Sequence, residues 1–165
     1  MMKKVLLALC VALPMLASAQ SKFGVVDTQV ILEAMPEVKT AQDQVVASSK
    51  KYEDEYNKLQ NDIQKKFEEY QALSADTPET IKDRRMQEIQ ELDQKMQQFR
   101  NTATQDLQRQ QETLMAPIQE KVRTAINSVG KEHNMTFIFE SAMPIYTGTD
   151  VTDVTPYVKT KLGIK

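Results

Sequence analysis

Few side chains in this 165-residue chain have the types and spacing that chemistry needs. His133 is the sole histidine. It falls near a predicted helix C-terminus, where the partial negative charge of the last carbonyls favours a cation. It therefore reads as a helix-end residue, not as a base or a metal ligand. The paired acids Glu53-Asp54-Glu55 and Glu68-Glu69 could serve general acid–base work or hold a cation. Both sets sit on a long polar helical arm, which makes them part of a solvated face. There is no Gly-rich phosphate loop, no nucleophile elbow and no His/carboxylate metal spacing. The expectation is a non-enzyme with no cofactor and no metal.

The side chains that stand out are large and adaptable instead. Tyr52, Tyr56, Phe67, Tyr70, Met86, Met96 and Phe99 recur along helical segments. There they could offer arm faces to a partner that varies in sequence, and Met in particular re-packs easily. Packing in a helix–helix seam is the plainer use of the same residues. A second set, Phe23, Val25, Phe137, Ile138 and Phe139, lies in two short strand-like pieces and suits a subunit interface.

The elements that position these groups follow from the pattern. Met1-Met2-Lys3-Lys4, the apolar run Val5 to Leu16 and the small residues Ala17-Ser18-Ala19 form a signal peptide cleaved after Ala19. The run is too short to span a bilayer. Cys10, the one cysteine, follows the bulky Leu9 inside that run, which disfavours lipidation. Cleavage removes Cys10, Lys3 and Lys4, so the net charge moves from −2 to −4 and no disulfide can form. A mildly acidic chain lacks the basic face that nucleic acid needs.

Lys22–Asp27 predicts a strand and Thr28–Ala34 a short helix. From Glu37 to Leu73 there is no Gly or Pro, and apolar residues recur in threes and fours with one gap at Ser48-Ser49. Ser74-Ala75-Asp76-Thr77-Pro78 is a turn, with Asp76 or Thr77 as the cap of the next helix and Pro78 in its first turn. Glu79–Met115 repeats the seam through Ile89, Leu92 and Ala103. Each arm is roughly 55 Å long at ~1.5 Å per residue. Pro117 predicts a kink. Beyond it comes a denser stripe through Ile118, Val122 and Val129, with Gly130 and Asn134 as possible stops. Strands are expected at Met135–Glu140 and Ile145–Thr147, and a last helix at about Pro156–Leu162.

The fold class is thus mainly α with a small β body: a long antiparallel helical hairpin rising from a short-stranded, β-barrel-like oligomeric body. The divisions are 1–19 as signal peptide, 20–35 with 116–165 as body, and 36–115 as hairpin with its tip near 74–78. Three short strands leave open edges and little core in a monomer, which calls for self-association.

Several segments resemble the Skp (OmpH-like) family of periplasmic chaperones. They are Phe23-Gly24-Val25-Val26-Asp27-Thr28, the block from Val122 to Val129, Phe137-Ile138-Phe139-Glu140, Tyr146, and Asp150-Val151-Thr152-Asp153-Val154-Thr155. The resemblance implies a periplasmic homotrimer with three helical tentacles. It also implies ATP-independent holding of unfolded outer-membrane β-barrel proteins, so any membrane proximity is indirect. Some relatives are thought to bind lipopolysaccharide through a basic cluster. Here only Lys82, Arg84 and Arg85 near the tip, and Arg109 beside Gln110, remain of it, which puts a lipopolysaccharide site in doubt. The alternative reading is a structural coiled-coil spacer or adaptor of the cell envelope.

Overall fold

The computed structural model describes residues 21–164. The signal peptide, its cleavage after Ala19 and Cys10 lie outside the described residues. The chain is mainly helical, with one small sheet. In order come β1 (Phe23–Val26), α1 (Thr28–Ala34), α2 (Pro36–Gln71), α3 (Glu79–Glu132), β2 (Phe137–Glu140), β3 (Thr152–Asp153) and α4 (Thr155–Leu162). They form two compact units. One comprises Pro36–Ile118, and the other takes the described residues up to Met35 together with those from Gln119 onward.

In the second unit the strands are parallel, in the order β2-β1-β3. Phe23 pairs with Phe137, Val25 with Phe139, and Gly24 with both Ile138 and Thr152. Alternation then puts Phe23, Val25, Phe137 and Phe139 on one face and Gly24, Val26 and Ile138 on the other. The second face is packed within the unit, whose core includes Val26, Ile31, Val129, Val154 and Val158. Gly24 is there for space. A Cβ on it would stand 3.3 Å from side-chain carbons of both Ile138 and Val154. Gly24→Val is expected to overpack this contact and cost ~1–3 kcal/mol, read as a lower urea midpoint by circular dichroism. An unchanged midpoint would mean that the sheet gives way freely there.

Side chains tie the corners of this unit. The Asp27 carboxylate accepts the Val30 N–H at 2.9 Å, and Glu140 accepts the Thr28 N–H at 3.0 Å, so two acids serve the start of α1. The Thr155 hydroxyl accepts the Asp27 N–H at 3.0 Å. At the end of α3 it is Asn134 that stops the helix, at φ 54. The Met135 N–H bonds the Gly130 carbonyl at 2.9 Å and the Asn134 N–H bonds that of Lys131 at 3.2 Å, a Schellman ending. Gly130 stays helical, and the site of its missing Cβ lies 3.2 Å from Ile138 Cδ1.

In the Pro36–Ile118 unit α2 and α3 run antiparallel. The Tyr52 and Phe99 rings sit 5.9 Å apart, and the Lys82 ammonium reaches the Ala75 carbonyl at the turn. The buried residues are few: Val38, Ala41, Leu59, Ala103 and Ile118. Exposed faces carry ion pairs one helical turn apart, such as Lys39–Asp43 at 3.1 Å and Lys58–Glu55 at 3.2 Å. Pairs so open to water contribute little each.

Three expectations are corrected. The predicted strand Ile145–Thr147 is not a strand, and the third strand is Thr152–Asp153. Ile145 lacks a strand partner, whereas Val154, just after β3, donates its N–H to the Val25 carbonyl at 2.8 Å. The sheet is open within the chain, not closed into a barrel. The α3 helix runs from Glu79 to Glu132 with Pro117 inside it, where a kink is still to be expected. Pro117 is exposed, so water can meet the carbonyl whose helical partner it removes. Finally, Pro78 holds the cap position instead of Asp76 or Thr77. Its carbonyl accepts from Ile81 at 2.9 Å and from Lys82 at 3.3 Å.

Candidate functional site

Two surfaces hold the residues singled out by the sequence, and each belongs to its own unit. The first is the uncovered face of the sheet. The Phe23 and Phe137 rings stack at 6.3 Å with 6° between their planes, and Phe137 meets Phe139 at 5.9 Å. All three stay exposed, Phe137 by 58%, and Val25 between them is half-buried. Ile138 does not join them. It points to the other face, against Gly24 and Gly130. The sequence reading missed how far the next loop adds to the apolar surface. Met143, Ile145 and Tyr146 are all strongly exposed, Tyr146 by 84%. The available signal was three large apolar residues in a segment without a helical or strand period.

His133 lies near the end of α3, half-buried, with its ring 4.5 Å from that of Tyr157. Beside it Glu132 pairs with Lys161. Both contacts hold α4 to the end of α3. Among the described residues no group of His, Cys, Asp or Glu is arranged to hold a metal ion. None of their helices is long and apolar enough to cross a membrane.

The second surface is the arm. Tyr52, Tyr56, Tyr70, Met86, Met96 and Phe99 are all half-buried. Phe67 is exposed, because the inward slot between Ile63 and Tyr70 falls to Lys66, whose ammonium pairs with Glu69 at 3.3 Å. The Lys66 stem covers the seam while its head stays in water. A thin seam of this kind leaves part of every large side chain accessible. Near the ends of the arm, Ala41, Val45, Val46, Leu114 and Met115 line a shallow apolar groove between α2 and α3.

One polar cluster joins the two arm helices, and a second lies along α3. The Tyr52 hydroxyl donates to Asp106 at 3.2 Å, and Arg109 pairs with the same carboxylate at 3.3 Å. Partial burial, and then the Asp106 charge and hydrogen bond, raise the Tyr52 phenol above its ordinary value. Nearer the tip, Glu88 accepts from Arg85 at 3.0 Å and lies close to Arg84. The Arg85 hydrogen bond, helped by the charges of Arg85, Lys66 and Arg84, lowers the Glu88 pKa below 4.5 against the opposing effect of burial. A lowered folded-state pKa gives stability that is present above the unfolded value and lost as pH falls through the folded one. Acidification below the ordinary carboxylate range should therefore weaken this pair along α3, a small effect because both side chains are open to water. Glu88→Gln should flatten that part of the melting-temperature curve against pH, and an unaltered curve would remove Glu88 from the account.

A family model described as Outer membrane protein (OmpH-like) matches residues 22–162. No curated protein matches the chain.

Proposed function

The chain belongs to the OmpH-like outer membrane protein family, a family of periplasmic chaperones, and from that membership we propose that it is an ATP-independent holdase. It keeps unfolded outer-membrane β-barrel proteins from aggregating while they cross the periplasm. The supporting observation is the half-open arm. Six large side chains, from Tyr52 to Phe99, are neither buried nor free. They can re-pack against many clients without unfolding the hairpin.

The working form is a homotrimer joined through the sheet-bearing unit. Supporting this are the stacked, exposed phenylalanines and the open edges of β2 and β3, an arrangement a lone chain rarely leaves to solvent. The signal peptide directs the chain to the periplasm, with cleavage after Ala19. The binding faces are those of Tyr52, Tyr56, Phe67, Tyr70, Met86, Met96 and Phe99.

The test is light scattering. An unfolded β-barrel protein is diluted from denaturant with and without the purified chain and no nucleotide. Suppression at near-stoichiometric ratios is expected. Unabated aggregation would reject the holdase and favour a structural spacer.

A further inference from the structure

The outward faces of the two arm helices differ in chemistry. On α2 the face turned from the seam carries Lys39, Asp43, Lys50, Asp54, Lys65 and Glu68, all exposed. It is an ordinary solvated, charge-laced surface. On α3 the corresponding face carries Gln87, Gln90, Gln94, Asn101, Gln105 and Gln108, also exposed, at steps of three, four and seven. Gln97 and Gln98 fill the interval. The helical repeat sets this row opposite Phe99 and Ala103. No charged residue interrupts it for roughly 30 Å. Carboxylates and cations begin at its borders, with Glu91 and Asp93 on either side. Near its tip end Met86, Gln87, Gln90 and Gln94 line a shallow depression rimmed by the carboxylates of Asp83 and Glu91.

We infer that this amide row is a binding strip for the extended backbone of an unfolded polypeptide. The inference rests on the holdase reading and names what that holdase recognises. An unfolded segment presents one N–H and one C=O per residue, all of which need partners once water is displaced. A primary amide offers both complements, two donors and one acceptor oxygen. The flanking acids already orient part of the row. Gln87 donates to Glu91 at 3.0 Å, Gln97 to Asp93 at 2.7 Å and Gln108 to Glu112 at 3.0 Å. Each donation uses one N–H and leaves the amide a second N–H and its carbonyl oxygen. Because the amides themselves are neutral, a client lying along the row displaces water from them without stripping it from a charge, and the carboxylates stay at the borders. Backbone recognition also needs no particular client sequence. Each hydrogen bond exchanged with water returns little net free energy, so a client held by many of them can leave without an energy source.

The test uses the full protein and a synthetic extended peptide of alternating Val and Thr, alongside the same peptide N-methylated at alternate residues. The variant combines Gln90→Met, Gln94→Met, Asn101→Leu and Gln105→Met. These roughly keep size and keep or raise helix propensity while removing the amides, and circular dichroism checks helicity. The wild type should bind the plain peptide about tenfold more tightly than the methylated one. The variant should lose that difference and suppress client scattering less well. Equal binding of the two peptides by the wild type, or a variant that holds clients as well as or better than the wild type, overturns the strip. A wild type that holds no client at all overturns the holdase reading instead, and the strip with it.

Discussion

A chain whose residues 37–115 are replaced by a short linker is expected to lose holding completely. The reason is the distribution of adaptable surface. In the arm, large side chains are spread along two helices, half-covered at every turn, so a client meets many weak contacts. No single arm residue should dominate for the same reason. Tyr56→Ala, Phe67→Ala or Met96→Ala should each weaken holding only modestly, by no more than a few-fold. The sheet-bearing unit keeps its own core at Ile31, Val129, Val154 and Val158, so it should survive the excision. Light scattering with an unfolded β-barrel protein reads the loss, and the near-ultraviolet dichroism of Tyr157, packed on His133, reads the unit. If the armless chain protects as well as the whole one, holding belongs to the exposed phenylalanine face and the arm is a spacer.

The second large effect separates assembly from folding. Phe137→Asp with Phe139→Asp places two carboxylates in the exposed aromatic face. In one chain these side chains are already open to water, so the change should barely alter the fold. In a trimer closed over that face the charges would be buried without partners, at several kcal/mol each. Sedimentation velocity should show dissociation to monomers whose helicity is near that of the parent. Ile138→Asp should behave differently. Ile138 packs on Gly24 and Gly130 inside its own chain, so the carboxylate attacks that core and both assembly and body structure should fall. Parent-like sedimentation of the double variant would remove this face from the interface.

Much of this arrangement can be read locally. Spacing in threes and fours places the seam, and the alternation in Phe23–Val26 and Phe137–Glu140 places two strands and their faces. The misreadings occur where a choice is decided at a distance. Phe67 looks like a seam residue because it is aromatic, yet Ile63 and Tyr70 set a phase whose inward slot is Lys66. Ile145-Tyr146-Thr147 has strand-like composition, but no strand lies beside it. Thr152-Asp153, with poorer composition, takes the free edge of β1. The parallel direction of the sheet follows from topology, since the whole helical hairpin is the crossover between β1 and β2. Gly130 reads as the helix stop by residue type. Close packing with Ile138 gives it another use and leaves the left-handed turn to Asn134.

The central place of β1 has a consequence for how the chain is made. It is synthesised more than 100 residues before either of its neighbours. Thr28 meets Glu140 across 112 residues, and Asp27 meets Thr155 across 128. Helices with contacts four residues apart close early, while pairing over such separations is slow. Throughout that interval Phe23–Val26 is an apolar strand with both edges unmet, the kind of segment that aggregates or is degraded. Any product that stops short of β2 keeps it that way. Sheet closure therefore depends on chain length, and only a chain that includes both β2 and β3 can cover the two edges of Phe23–Val26.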